Sequence, residues 1–173
     1  FGESRVTELA EKAARLPEDI EWHFIGRLQS NKARKAVQLA KVIHSVDSAA
    51  LLERLDRIAG EERKRPAVLL EVNVSGEASK AGVPVAELEP FARRAAACAN
   101  LDFRGFMTMA PFDAEPVKIA AIFELLRLTR DELEAKLGRE LPELSMGMSG
   151  DYEIAARHGS TIVRVGTLIF GTR

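Results

Sequence analysis

Residues 144–171 have the sequence LSMGMSGDYEIAARHGSTIVRVGTLIFG, and this stretch decides both the fold and the candidate site. It opens with an apolar strand, continues through a turn, GMSG at 147–150, and begins a helix at Asp151. Backbone N–H groups at the start of a helix lack intrahelical acceptors, and the helix dipole adds positive charge there. Glycine lets a phosphate approach such a backbone closely, and Ser149 offers a hydroxyl donor. The pattern is typical of a phosphate-binding turn, but also of a capped helix after a tight turn.

The segment 161–170 is a second predicted strand, and it places one arginine within an otherwise apolar run. By the two-residue period of a strand, Arg164 and Gly166 share one face. Because a buried guanidinium without a partner is very unfavourable, two interpretations remain: a structural salt bridge, or an arginine directed at an acceptor atom of a ligand. In the second interpretation Gly166 and Thr167 add an N–H group and a hydroxyl beside Ser149.

Short apolar runs alternate with amphipathic stretches along the rest of the chain. Strands are predicted at 20–28, 42–46, 67–74, 103–110, 144–148 and 161–170, and helices at 3–15, 31–40, 49–58, 85–99, 116–137 and 151–158. This alternation predicts a parallel sheet with crossover helices. An open doubly wound sheet usually has a GxGxxG turn after its first strand, and none is present. A barrel binds phosphate after its last two strands, so the turns in 144–171 favour a TIM (β/α)8 barrel.

The number of strands bears on how complete this barrel is. A TIM barrel has eight strands, and about seven are predicted here, counting a stub at residues 1–2. We therefore expect 1–173 to form a single barrel domain that is N-terminally incomplete and lacks its first strand. Without that strand the sheet would expose two unpaired edges.

Composition narrows the class of protein. The formal net charge is −1, with 46% hydrophobic and 29% charged residues, so no global field favours nucleic acid or membrane. A lone cysteine, Cys98, excludes an internal disulfide framework, and no apolar leader follows Phe1; we therefore expect a cytoplasmic protein.

The three histidines, His23, His44 and His158, are too scattered for a metal site, and the two in strands are interpreted as core histidines. No large apolar stripe is left over, so we expect a monomer.

Seven segments together resemble the pyridoxal phosphate homeostasis protein family, once called proline synthetase co-transcribed homologues. They are FGES, IEWHFIGRLQSNK, IHSVDS, LLEVNVSGEASKAG, FRGFMTMAP, LSMGMSGD and GSTIVRVGTLIFG, in family order across essentially the whole chain. The resemblance implies an alanine-racemase-like barrel that binds pyridoxal 5′-phosphate. It implies that Ser149, Gly166 and Thr167 hold the phosphate and that Arg164 faces the pyridine nitrogen. The family commonly has Asn after FGE, where this chain has the shorter Ser4 as the candidate contact to a ring substituent.

The family's Schiff-base lysine lies on a strand before FGE, and no residue of this sequence matches it. We expect that lysine upstream of Phe1. Lys80 follows the clearest strand and Lys32 closes QSNK; both are interpreted as solvated surface lysines rather than as cofactor ligands.

Two functions compete under this resemblance. The first is a binder that maintains the intracellular supply of the vitamin B6 cofactor without strong catalysis of its own. The second is an amino-acid racemase, which needs an acid/base group on each face of its substrate. Racemases of this fold take one such group from a C-terminal domain. No residue follows Arg173, so we expect no such domain here. The single tyrosine, Tyr152, lies on the helix after SMGMS. These features favour the binder. A third possibility is a barrel enzyme that binds another phosphorylated substrate. Visible absorbance would distinguish it, because a pyridoxal phosphate aldimine gives a yellow band and a sugar phosphate does not.

Overall fold

The computed structural model describes residues 1–77 and 81–171 and contains a parallel sheet with helices between its strands. The strands are β1 (Gly2–Glu3), β2 (His23–Phe24), β3 (Val42–Val46), β4 (Ala67–Asn73), β5 (Val83–Pro84), β6 (Asp102–Met107), β7 (Glu143–Met148) and β8 (Ile162–Arg164). The helices are α1 (Val6–Ala13), α2 (Ala33–Leu39), α3 (Ala49–Glu61), α4 (Leu88–Ala97), α5 (Pro116–Leu137), α6 (Tyr152–Arg157) and α7 (Thr167–Phe170).

The strands are hydrogen-bonded in the order β1-β2-β3-β4-β6-β7-β8, with β5 paired to β4 at the side. The side chains of His44 on β3 and Ser145 on β7 are only 2.8 Å apart. Three strand spacings separate these strands along the sheet, which would be about 14 Å if the sheet were flat. The sheet is therefore curled into a barrel, and the predicted fold class is confirmed.

The two ends of this sheet, β1 and β8, are not paired with each other in the part of the chain that the structure describes. The barrel is consequently open between them. The expectation of an additional strand before Phe1 stays a prediction, as does the single-domain assignment.

The core lies between the sheet and the surrounding helices and inside the barrel. Six consecutive residues of β4, residues 67–72, are buried, as expected for a central parallel strand covered on both faces. Phe103 and Phe106 on β6 meet edge to face with ring centroids 5.7 Å apart. Phe123 of α5 is fully buried in the same core. This packing fixes the strands whose carboxyl ends form the candidate site.

Several local predictions are confirmed, because their signals lie in neighbouring residues. The structure contains β3 at the predicted residues 42–46 and α5 at the predicted residues 116–137. Just before the predicted helix 49–58, the hydroxyl of Ser48 accepts a hydrogen bond from the Leu51 N–H and caps α3. Gly159, which directly follows the predicted helix 151–158, has a φ of 82°, in the left-handed region that favours glycine.

Two predicted strands were much too long, and the predicted strand 103–110 also overshoots, because β6 ends at Met107. The predicted strand 161–170 is a three-residue strand, β8, followed by the helical turns of α7, where the Phe170 N–H donates to the Gly166 carbonyl at 2.9 Å. A short apolar run does not distinguish strand from helix by its periodicity, which explains the error. In the predicted strand 20–28 only His23–Phe24 is a strand. There Gly26 lies so close to Ser4 that a Cβ would be 2.1 Å from the Ser4 carbonyl oxygen, and the chain turns away.

None of the helices in the described ranges combines the length and the apolar character needed to cross a membrane.

Candidate functional site

The two turns singled out in the sequence meet at the carboxyl ends of β7 and β8. Met148 is the register partner of Arg164 in this parallel pair, so Ser149 follows β7 beside the end of β8. The hydroxyl oxygen of Ser149 accepts hydrogen bonds from the Gly166 N–H at 3.2 Å and the Leu168 N–H at 3.5 Å. Thr167 lies between these two donors in the chain. Three of the predicted residues, Ser149, Gly166 and Thr167, therefore form one cluster, which we call the β7–β8 turn cluster.

The shape of the first turn depends on Gly147 and Asp151. Gly147 has a φ of 93°, and a Cβ there would lie 2.6 Å from the Ala155 Cβ. Glycine thus allows the left-handed backbone and lets α6 pack against β7. The Asp151 carboxylate accepts a hydrogen bond from the Met148 N–H at 2.6 Å, which closes the turn before α6.

Arg164 points into the barrel and binds two neutral acceptors. Its Nη1 donates to the Ser145 hydroxyl at 2.7 Å and its Nη2 to the Thr108 carbonyl at 2.9 Å. Among residues 1–77 and 81–171 it forms no ion pair with a carboxylate, so the interpretation as a structural salt bridge does not describe it. Burial lowers the pKa of Arg164 to about 10, against the opposing charges of Asp151 and Glu71. The guanidinium is therefore a charged group at neutral pH whose charge no contacting carboxylate neutralises.

Two histidines extend this polar contact across the barrel interior. His44 Nδ1 lies 2.8 Å from Ser145 Oγ, and His44 Nε2 lies 2.9 Å from His23 Nδ1. His44 is a fully buried core histidine, as the sequence predicted, and both of its ring nitrogens have partners. Burial, with the nearby charges of His23 and Arg164, lowers the pKa of His44 to about 3, so it is neutral at physiological pH. Burial also lowers the pKa of His23.

Sequence reasoning missed Ser145, which links Arg164 to His44. Ser145 is fully buried. A serine in an apolar strand is an ordinary residue, and only its position inside the strand LSMGM could have drawn attention to it. Ser145 and Arg164 are 19 positions apart in sequence and His44 and Ser145 are 101 positions apart, so only tertiary structure brings the three together.

Ser4 lies apart from the β7–β8 turn cluster, after β1 on the other side of the open edge. It lines a cavity of about 970 Å³ at the carboxyl ends of β1, β2 and β3. The same cavity is lined by Arg27, Lys32 and Asp47, so its wall is polar. In parallel sheets these strand ends all lie at one face of the barrel, which places Ser4 at the same mouth as Arg164. The structure shows no contact between Ser4 and the other predicted site residues in the described ranges.

A buried carboxyl group, Glu71, lies at this mouth and was not singled out from the sequence. It is 4% exposed and lines a second cavity, of about 340 Å³, with Asn73, Met109 and Met148. Burial raises the pKa of Glu71 to about 7, and the charge of Asp47 adds to this effect. Glu71 therefore changes its charge near neutral pH.

The two candidate lysines differ in what can be said of them. Lys32 is exposed on the rim of the larger cavity, as expected for a solvated lysine. Lys80 lies outside the described residues. Within the described part of the chain no group of three or more histidine, cysteine or acidic side chains is arranged to hold a metal ion.

Comparison with known proteins identifies the family. The family described as "Alanine racemase, N-terminal domain" matches residues 1–173. The pyridoxal phosphate homeostasis protein of Aquifex aeolicus is 41% identical over 174 residues, covering 100% of this chain and 76% of that protein. The corresponding protein of Synechocystis is 42% identical, covering 100% of this chain and 80% of its own length. The chain belongs to the pyridoxal phosphate homeostasis protein family.

Solved structures agree with membership of the pyridoxal phosphate homeostasis family. PipY of Synechococcus elongatus, in a structure with pyridoxal phosphate bound, superposes with a TM-score of 0.91 at 43% identity, covering 99% of this chain and 81% of PipY. The alanine racemase of Clostridium difficile superposes with a TM-score of 0.79 at 13% identity, covering 99% of this chain and 44% of the racemase. The second likeness shows a shared barrel fold and nothing further.

The residues on this mouth fit the cofactor that gives the homeostasis family its name. Pyridoxal phosphate has a phosphate dianion and a ring nitrogen that accepts hydrogen bonds. In the β7–β8 turn cluster the Gly166 and Leu168 N–H groups both donate to the Ser149 oxygen, which leaves the Ser149 hydroxyl hydrogen to donate to an anion, and Thr167 lies between these two residues in the chain. Arg164 adds a positive charge with no ion-paired carboxylate among the described residues. Hydrogen-bond donors for the phosphate and for the ring nitrogen thus lie at the ends of two adjacent strands, β7 and β8.

Proposed function

We propose that this protein binds pyridoxal 5′-phosphate at the carboxyl ends of β7 and β8 and takes part in maintaining the intracellular supply of this cofactor, without strong catalysis of its own. Its curated relatives are named pyridoxal phosphate homeostasis proteins, and PipY was solved with pyridoxal phosphate bound. The observation that most supports the proposal is the convergence of the two turns on Ser149 beside an arginine that is not ion-paired with any described carboxylate. We further propose that the protein is a cytoplasmic monomer.

The phosphate is assigned to Ser149, Gly166 and Thr167. The Ser149 oxygen already accepts two backbone N–H groups, so its own hydrogen is left to donate to an anion. A phosphate seated there can compete for the same N–H groups, because charge-assisted hydrogen bonds are stronger than those to a neutral hydroxyl. Ser4 is assigned to the ring substituent on the opposite side of the mouth, where it lines the larger cavity.

The ring nitrogen is assigned to Arg164. A guanidinium can only donate hydrogen bonds and stays charged, so it keeps a facing nitrogen unprotonated. When bound, pyridoxal phosphate supplies an electron sink for chemistry at an attached amino group, and an unprotonated ring nitrogen weakens that sink. Arg164 therefore favours holding the cofactor over catalysis with it.

A racemase-like function is the alternative, and the described residues give it little support. Racemisation by two bases needs acid/base groups on both faces of the substrate. The single tyrosine, Tyr152, lies on α6, and its hydroxyl is 3.4 Å from the Glu153 carboxylate beside it. This contact directs Tyr152 toward its own helix rather than toward Arg164. Among the described carboxyl groups at the mouth, Glu71 has a pKa of about 7, so it is the candidate acid/base group for this alternative.

The experiment is an equilibrium titration of the purified protein with pyridoxal phosphate, pyridoxal and inorganic phosphate, followed by visible absorbance and by tryptophan fluorescence. We expect pyridoxal phosphate to bind at least tenfold more tightly than pyridoxal. The double variant Ser149→Ala/Thr167→Ala should lose about tenfold or more in affinity for pyridoxal phosphate and little for pyridoxal. Arg164→Ala should weaken binding and change the spectrum of the bound cofactor.

Thr129→Ala is a matched control, because this exposed hydroxyl donates to the Leu125 carbonyl within α5 at 2.7 Å. It should leave every affinity unchanged. Equal affinity of the wild-type protein for pyridoxal and pyridoxal phosphate would refute the phosphate assignment. Unchanged binding and spectrum in Arg164→Ala would refute the role of the arginine.

A further inference from the structure

Four side chains form one continuous hydrogen-bonded path through the interior of the barrel. They are Arg164 on β8, Ser145 on β7, His44 on β3 and His23 on β2, with successive distances of 2.7, 2.8 and 2.9 Å. Ser145 and His44 are fully buried, so solvent does not supply their partners. No described side-chain nitrogen or oxygen that is fully buried lacks a hydrogen-bond partner. The hydrogens on this path must therefore be arranged so that each has an acceptor.

The direction of the path follows from Arg164, which can only donate. Since Arg164 donates to Ser145 Oγ, the single hydroxyl hydrogen of Ser145 must be donated elsewhere, and His44 Nδ1 is its described partner. His44 is neutral, so with Nδ1 accepting, its hydrogen is on Nε2 and is donated to His23 Nδ1. His23, when neutral, then has its hydrogen on Nε2.

The opposite direction is unfavourable. If His44 Nδ1 donated to Ser145, the serine oxygen would accept two hydrogen bonds and its own buried hydrogen would have no acceptor among the described residues. A buried donor left without an acceptor has lost its hydrogen bonds to water and gained none in return, which is strongly unfavourable. The arginine at one end of the path therefore fixes the tautomers of both histidines.

We propose that Ser145, His44 and His23 are positioning residues, which orient the Arg164 guanidinium toward the cofactor's ring nitrogen through a one-way chain of neutral hydrogen bonds. This rests on the proposed function, in which Arg164 faces that nitrogen. A carboxylate would orient an arginine equally well but would neutralise its charge. Neutral acceptors, Ser145 Oγ and the Thr108 carbonyl, orient Arg164 and leave its charge for the ligand.

The first test needs no ligand. Long-range ¹H–¹⁵N NMR of the imidazole rings reports which nitrogen holds the hydrogen, and we expect the Nε2–H tautomer for both His23 and His44 at neutral pH. In Ser145→Ala the His44 Nδ1 loses its donor, so its ¹⁵N shift should move toward that of a free imidazole nitrogen. A wild-type His44 with its hydrogen on Nδ1 would overturn the proposal. Because no cofactor is present, this result is independent of the proposed function.

The second test compares Ser145 on β7 with Ser160, which lies in the loop just before β8. Ser160 donates to backbone carbonyls of β7 and β8, with the Met146 oxygen at 2.7 Å, and none of its hydrogen bonds in the described ranges involves Arg164. We expect Ser145→Ala to lower the affinity for pyridoxal phosphate about tenfold and to shift the absorbance of the bound cofactor. Ser160→Ala should leave affinity and absorbance unchanged, and Ser145→Thr, which keeps the hydroxyl, should restore both.

Equal affinity and absorbance in Ser145→Ala and Ser160→Ala would overturn the positioning role. If Ser145→Ala did not fold, Ser145→Thr and the wild-type NMR measurement would still decide between the two directions of the path. If the wild-type protein bound no pyridoxal phosphate at all, the proposed function would fail, and with it the positioning role, whereas the tautomer assignment would stand or fall by NMR.

Discussion

Replacing Glu71 with glutamine removes a buried carboxyl group whose proton affinity is raised by the fold. Glu71 is 4% exposed, and burial raises its pKa from 4.5 to about 7. Between these two pH values the folded protein holds a proton that the unfolded chain has released. The free energy of unfolding therefore falls as the pH rises from about 4.5 to about 7. At about 1.4 kcal/mol per pH unit, this loss is about 3 kcal/mol.

The assay is urea unfolding of the ligand-free wild-type protein and of Glu71→Gln at pH 5 and pH 8. Glutamine has no proton to lose, so from pH 5 to pH 8 the free energy of unfolding of the variant should fall by about 2–3 kcal/mol less than that of the wild type. His44 has the opposite effect: its pKa is lowered to about 3, so its contribution is lost as the pH falls from 6.5 toward 3. His44 is present in both proteins, so its effect cancels in the difference between them.

Glu18→Gln, at an exposed turn, controls for the removal of one negative charge from the protein. The reasoning is refuted if wild type and Glu71→Gln show the same change in the free energy of unfolding from pH 5 to pH 8. That result would mean that Glu71 is as well solvated in the folded protein as in the unfolded chain.

Two further changes test the local structure around the site and the fold. Gly147→Ala should lower the free energy of unfolding by about 2 kcal/mol or more, because alanine would need a φ of 93° and its Cβ would lie 2.6 Å from Ala155; thermal unfolding measures this. Ser48→Ala removes the hydroxyl that caps α3 and should lower the free energy of unfolding by about 1 kcal/mol in urea. A stability of Gly147→Ala equal to that of wild type would contradict the described turn.

Much of the fold could be predicted from the sequence because the signals are local. The alternation of apolar and amphipathic runs predicted a parallel sheet with crossover helices, and the two turns in 144–171 favoured the barrel. The helix α5 was predicted at its observed residues. The glycine and serine turn at 147–150 was visible because each residue suits a tight turn before a helix. The extent of the strand at 161–170 was wrong, because an apolar run of that length fits a strand or a short helix equally well.

The polar interior could not be predicted in the same way. His44 and Ser145 are 101 residues apart in sequence and meet only because the sheet curls. Arg164 was recognised as unusual because a lone arginine in an apolar strand requires a partner, but the identity of that partner is a tertiary property. Glu71 was overlooked for the same reason: its raised pKa results from burial that neighbouring residues do not reveal.

The structure of the protein with pyridoxal phosphate bound tests the central claim most directly. The account predicts the phosphate within hydrogen-bonding distance of Ser149 and the Gly166 N–H, and the ring nitrogen facing Arg164 while Arg164 keeps its contact with Ser145. A phosphate bound instead among Arg27, Lys32 and Ser48 in the larger cavity, with Arg164 not touching the ligand, would contradict it.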